Sequence, residues 1–233
     1  MMGEATASGV SAETARGAVT AVELSRQERA IARRSAETRA TVPNVEFTAE
    51  ADMGAAMALE AELGCGTTAL LVRACARALR SVPRANGAYR DGRYELYSRV
   101  NIGVTLADSD VYVVPTVFDA DLKTASEIAG ELTDLAARAR ETALTPPELS
   151  GATFTLTDSV AFDIATLTPL IVPPQAAALA AGPVRDVPVI RAGQVVPGQT
   201  MVMTLACDHR ILYGAHAAAF LEEIKAHLEE ATP

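Results

Sequence analysis

Between residues 45 and 83 the hydrophobic period of the chain changes, and that change constrains the fold more than any other feature. VEFTAEAD alternates, with Val45, Phe47, Ala49 and Ala51 on one side, as a half-buried strand does. Two stretches of helical period follow. The first, Met53 to Leu63, is closed by Gly64; the second, Thr67 to Arg80, places Leu70, Leu71, Ala74, Cys75 and Ala78 at helical spacing and stops before Pro83. Strand and helix thus occur in one compact stretch, and the chain reads as a mixed α/β protein.

The rest of the sequence extends that reading. Ser25-Arg-Gln-Glu28 is a capping box that opens a helix ending before Pro43. Val100 to Leu106 and Val111 to Val117 form a hairpin around the polar turn ADSD, with Asp108 to Asp110 expected at the surface. Residues 123–141 make the best amphipathic helix, with Ile128, Leu132 and Leu135 inward, and TPPELSG ends it. Strands are expected near 152–157, 176–181, 187–190 and 201–207, joined by turns such as TPLIVPPQ and VVPGQ, before a closing helix from Ala215 to Leu228. Residues 1–23, with few large apolar groups, read as a mobile arm, and residues 24–233 as one domain.

Composition narrows the partners. The net charge of -9 gives no footprint for nucleic acid or an anionic membrane surface, and aromatics at 4% supply no stacking platform for single strands. No segment has about 18 uninterrupted apolar residues, and the acidic, small-residue N-terminus is unlike a secretory signal, so a cytoplasmic location is expected. Cys65, Cys75 and Cys207 are odd in number, far apart and set among apolar neighbours, which implies no disulfide framework.

The chemistry concentrates near the end, in LACDHRILYGAHAAAF. His209 follows an apolar run, Met201 to Ala206, and Gly214 comes five positions later, where a helix begins. A strand-to-helix corner of this kind presents a side chain at the sheet edge, and a neutral imidazole there can accept a proton from a thiol or hydroxyl. Cys207 and His209 lie two apart, but His216 and His227 are 11 apart, and no CxxC, HxH or HExxH spacing occurs, so no metal is expected. A G-x-S-x-G elbow is also absent.

DHRILYG resembles the DHR-x-x-DG signature of the dihydrolipoyl acyltransferase catalytic domain of 2-oxoacid dehydrogenase complexes, which shares its fold with chloramphenicol acetyltransferase. The resemblance also covers LSRQERAIARR at 24–34, SRVNIGVTLADSDVYVVPTVFDADLKTASEIAGEL at 98–132, LTPPELSGATFTLTD at 144–158 and LTPLIVPPQAAAL at 167–179, running from about residue 22 to the C-terminus. It implies a mixed sheet flanked by helices and a homotrimer with active sites between subunits. In such a site His209 is the general base, and Thr157, in GATFTLTD, is the oxyanion donor facing it from the next subunit. Acetyl-CoA is then the acyl donor, a substrate, with no metal required.

Three departures bear on the acceptor. Tyr213 stands where the motif has aspartate, SNLG has become TDSV with Asp158, Ser159 and Val160, and INPPQ has become IVPPQ with Val172. Asp158 and Tyr213 are therefore candidate substrate-binding residues in a rebuilt acceptor channel. The 233 residues hold neither a lipoyl domain nor a subunit-binding domain and no covalently bound lipoyl group, and they end in EEATP where the family has an apolar tail. The expectation is a free homotrimer acting on a small-molecule or carrier-bound acceptor, with O-acetylation in tetronate-type antibiotic biosynthesis as the first reading. A dihydrolipoyl-thiol acyltransferase served by a separate carrier, and a catalytically lapsed trimeric scaffold, are the alternatives.

Overall fold

A computed structural model of the protein describes residues 12–108, 111–159 and 163–232. The chain divides into two compact units at Thr41 and Val42. The first contains a short antiparallel hairpin, β1 (Ala12–Thr14) and β2 (Gly17–Val19), and helix α1 (Arg26–Thr41). The Ser25 capping box is formed: Ser25 N–H donates to Glu28 Oε2 at 2.7 Å, and Glu28 N–H donates to Ser25 Oγ at 3.2 Å. The hairpin was not expected from a stretch so poor in apolar residues.

The second unit begins with β3 (Asn44–Asp52), whose inward residues are those that the alternation names, and continues through α2 (Gly54–Leu63) and α3 (Thr67–Ser81). Gly64 takes the left-handed conformation that closes α2. Next come the hairpins β4 (Gly87–Arg90) with β5 (Arg93–Leu96), and β6 (Ile102–Val104) and β7 (Leu106–Asp108) with β8 (Val111–Val113) and β9 (Thr116–Val117). In the latter β7 pairs with β8 and β6 with β9, as one broken hairpin; residues 109 and 110 of its ADSD turn, like Val160, lie outside the described residues.

Helix α4 (Ala125–Arg140) starts on a full capping box between Thr124 and Glu127. TPPELSG does more than end it, because Pro146 and Pro147 start a short helix of their own, α5 (Pro146–Ser150), capped by Thr145 and Glu148. Strands β10 (Phe154–Asp158), β11 (Ala177–Ala181), β12 (Arg185–Arg191) and β13 (Gln194–Asp208) follow, then α6 (Ala215–Glu229).

A seven-stranded mixed sheet organises this unit. β10 is parallel to β6 and β11; β13 is antiparallel to β11, β12 and β3. Leu156, Leu179, Met203, Leu205 and Phe47 point to one face, where α3, α4 and α6 supply Leu71, Leu79, Ile128, Phe220 and Ile224. Ala178 and Ala206 point to the other face, where Ile171 and Val42 meet them. A mixed sheet flanked by helices is therefore the fold, as the sequence implies. Among the described residues no single helix is long and apolar enough to cross a membrane.

Candidate functional site

His209 immediately follows β13, and the residues on either side explain why it projects. Asp208 is buried, its side chain 4% exposed, and its carboxylate folds back on the third residue of the motif. Asp208 Oδ1 accepts from the Arg210 backbone N–H at 3.0 Å, and Oδ2 accepts from Arg210 Nη2 at 2.7 Å. The Asp208 carbonyl takes the N–H groups of Ile211 and Leu212, and those two side chains are fully buried anchors. Arg210 lies over the Tyr89 ring at 4.3 Å. The His209 N–H donates to Pro43 O at 2.9 Å. A corner held at each neighbouring residue leaves the imidazole exposed and directed outward.

The turn into α6 depends on Gly214, which has φ 46° and ψ -116°. A side chain there would meet no atom within 4 Å, so backbone strain and not crowding is what demands glycine. Tyr213, 40% exposed, stands beside His209 with ring centroids 6.1 Å apart and planes at 71°, and beside His216 at 5.4 Å.

Thr157 lies on β10. The strand's period of two sends Phe154 and Leu156 to the helix side, where Phe154 meets Phe220 edge-on at 5.6 Å, and Thr155 and Thr157 to the other face. Thr155 donates to Gln175 Oε1 at 2.7 Å, and Gln175 Nε2 donates to Ala152 O. Thr157 is half-buried, with its hydroxyl 3.1 Å from the hydroxyl of Thr105. Thr105 sits between β6 and β7 and was not among the residues that the sequence nominates; its only signal was a hydroxyl inside the apolar run Val100 to Leu106.

Asp158, next along the strand, projects to the helix side and accepts the Thr68 hydroxyl from the first turn of α3. Asp158 and Thr157 thus face opposite sides of the sheet. Ser159 is buried and donates to Ala181 O, and Val172 O accepts from Gln175 N–H in the IVPPQ turn.

Strand register separates Thr157 from His209 within a chain. Thr157 is opposite Ala180, and Ala180 is opposite Thr204, five residues before His209. Two strand spacings of about 4.8 Å across and five residues of about 3.3 Å along put the two backbones about 19 Å apart. A general base and an oxyanion donor that serve one carbonyl carbon stand on the order of 8 Å from each other or closer. One chain alone cannot bring these two groups to the same carbon. The buried thiols add nothing to the chemistry, since burial pushes Cys75 and Cys207 up to about 12.

Comparison with known proteins agrees with this architecture. Residues 16–233 match the model of the family described as 2-oxoacid dehydrogenases acyltransferase (catalytic domain). The dihydrolipoyllysine-residue acetyltransferase component of the pyruvate dehydrogenase complex of Zymomonas mobilis is 31% identical over 218 residues, which cover 90% of this chain and 49% of that protein. The chain spans about half the length of the curated relatives it matches. A crystal structure of Azotobacter vinelandii dihydrolipoamide acetyltransferase is 25% identical, with a TM-score of 0.84 over 92% of this chain and 93% of that one. Its investigation concerned the roles of a serine, a histidine and an asparagine in that enzyme's catalytic mechanism. Chloramphenicol acetyltransferase, 18% identical with a TM-score of 0.57 over 84% of this chain and 94% of that one, shares the fold.

Proposed function

Because the chain belongs to the 2-oxoacid dehydrogenases acyltransferase (catalytic domain) family, we propose that it transfers an acyl group between CoA and a dihydrolipoyl-type thiol, with His209 as base and Thr157 as oxyanion donor. One observation carries the residue assignment. In the Azotobacter vinelandii enzyme the histidine comes 52 positions after the serine and the asparagine four after the histidine. Here Thr157 is 52 positions before His209, and Tyr213 is four after it. A hydroxyl and an imidazole recur at the same interval, and the register across β10, β11 and β13 keeps them apart in one chain, as a shared site requires.

The reaction follows from the two groups. The neutral His209 imidazole takes the proton of the attacking thiol as its sulfur bonds to the thioester carbonyl carbon of acyl-CoA. The carbonyl π electrons move onto oxygen, and the oxyanion accepts a hydrogen bond from Thr157. Collapse expels the CoA thiolate, which takes the proton back from the imidazolium. Charge and protons balance without a covalent enzyme intermediate. Thr105 fits the same role: either hydroxyl of the 3.1 Å pair can donate, and the arrangement in which Thr105 donates to Thr157 Oγ1 is the one that leaves the Thr157 hydrogen free for the oxyanion.

Two copies are needed for each such site, and a cyclic trimer supplies three equivalent pairings of His209 with a neighbour's Thr157. The curated relative is an acetyltransferase of a dihydrolipoyllysine residue, which favours a carrier-borne thiol. The matched relatives are dihydrolipoyllysine-residue acetyltransferases, so the thiol replaces the tetronate-type hydroxyl as the leading reading of the acceptor. The test is to incubate the protein with acetyl-CoA and either dihydrolipoamide or small primary alcohols and to measure CoA release. Release with dihydrolipoamide that disappears in His209→Ala is expected; release with alcohols alone would restore the hydroxyl reading, and turnover indifferent to His209→Ala would favour an inert scaffold.

A further inference from the structure

Tyr213 replaces the acid of the resembled motif, and the residue that faces it is a cation. Arg84, in the turn of helix after α3, has its guanidinium carbon 5.1 Å from the centroid of the Tyr213 ring and 4.4 Å from that of Tyr94. Its Nη2 is 3.5 Å from the Tyr213 hydroxyl, at the outer limit of a hydrogen bond. The buried Nε has no hydrogen-bond partner, and no carboxylate among the described residues forms an ion pair with Arg84. Two aromatic faces, and no acid, therefore fix this guanidinium.

The same phenol ring also meets the corner that carries His209. Its plane is 71° from that of His209 at 6.1 Å and 81° from that of His216 at 5.4 Å, both edge-to-face arrangements. A planar guanidinium held between two rings has its own orientation set by them, and a ring so held cannot rotate without losing the stack. The imidazole packed edge-on against it is then restricted in turn. Such a restriction matters here because His209 is exposed in the single chain, where burial does not fix its rotamer.

We infer that Arg84 and Tyr213 are positioning residues for His209: the Tyr94–Arg84–Tyr213 stack fixes the phenol ring, and the ring fixes the imidazole. The inference rests on the catalytic reading of His209. A second readout independent of turnover separates the two.

The experiment pairs kinetics with NMR on the intact protein. Only three histidines occur, His209, His216 and His227, so a sample labelled in histidine rings gives signals that His→Gln variants assign one at a time. In Tyr213→Ala and Arg84→Met the His209 ring signals are expected to move toward those of a free histidine, while Tyr213→Phe keeps them displaced by the ring current. The kcat for acetyl transfer to dihydrolipoamide is expected to fall at least tenfold in Tyr213→Ala and Arg84→Met, with KM for acetyl-CoA within twofold, and Tyr213→Phe is expected to be at least fivefold faster than Tyr213→Ala. The double variant should be no slower than the slower single variant within twofold, since both break one chain of contacts. Arg84→Lys, which keeps the charge and loses the planar stack, should fall between wild type and Arg84→Met. Wild-type kcat in Arg84→Met, multiplicative losses in the double variant, or His209 signals unmoved in Tyr213→Ala would overturn the inference. Absence of turnover in the wild type, with the NMR shifts as expected, would overturn the catalytic reading and leave the clamp standing.

Discussion

Replacing Thr157 by valine removes one hydroxyl at nearly constant volume, and the structure supplies two separate magnitudes for the result. On the folding side, the change deletes the 3.1 Å contact with Thr105, a residue 8% exposed, and leaves its hydroxyl without that partner. A net hydrogen bond contributes about 1 kcal/mol, and an orphaned buried hydroxyl costs about 1–3 kcal/mol, which a domain stable by about 5–15 kcal/mol survives. On the catalytic side, loss of a preorganised oxyanion donor raises the barrier by about 3 kcal/mol, on the order of a hundredfold in kcat. Ground-state binding of acyl-CoA makes no use of that donor, so KM should stay within a few-fold. The assay is steady-state release of CoA from acetyl-CoA with dihydrolipoamide, beside a thermal melt of the same samples. Thr157→Ser, which keeps a hydroxyl, is expected within tenfold of wild type. A Thr157→Val protein that melts normally and turns over at the wild-type rate would refute the oxyanion role.

Three further outcomes follow from the packing. Gly214→Ala should destabilise by about 1–3 kcal/mol through backbone strain alone, because φ 46° and ψ -116° suit glycine and no neighbour is within 4 Å; an unchanged denaturation midpoint would contradict this. Phe154→Ala removes a fully buried ring from its edge-on contact with Phe220 and should cost about 3–5 kcal/mol, a fall in Tm on the order of 10 °C by calorimetry. Glu148 is held down to about 2, first by the paired hydrogen bonds from Arg138 and then by those from Thr145. Since its folded value lies below the ordinary 4.5, its contribution is complete above 4.5 and is lost as pH falls through about 2; denaturant melts should show Glu148→Gln less stable at neutral pH and flatter across that window.

Local signals in the sequence carried the elements whose reasons are local. The Thr124–Glu127 box and the stripe of Ile128 and Leu135 specify α4, and the alternation from Val45 to Ala51 specifies β3. Other elements depended on pairing. VVPGQ reads as a turn because of its Pro and Gly, yet it lies inside β13, where Pro197 faces Pro188 across the ladder and the missing donors share one rung. The real turn is Ala192-Gly193, both with positive φ. The β4–β5 hairpin has a local signature as well, Asp91-Gly92 with φ 47° and 77°, although its flanking residues show no apolar alternation. At the site, DHR marks the corner, and the Asp208–Arg210 bond explains why the middle residue is the one that projects. The partners of Thr157 and Tyr213 were not legible, because Thr105 and Arg84 reach them from 52 and 129 residues away and no short motif records such a meeting.

Complementation between two damaged copies tests the shared site most directly. His209→Ala and Thr157→Val, each prepared alone, should be nearly inactive; mixed as unfolded chains in equal amounts and refolded together, they should recover about a quarter of wild-type activity, the fraction of random pairings that unite an intact imidazole with an intact hydroxyl in a cyclic assembly. Activity in the mixture no higher than the mean of the two parents would mean that both groups act from the same chain, or that they do not act together at all.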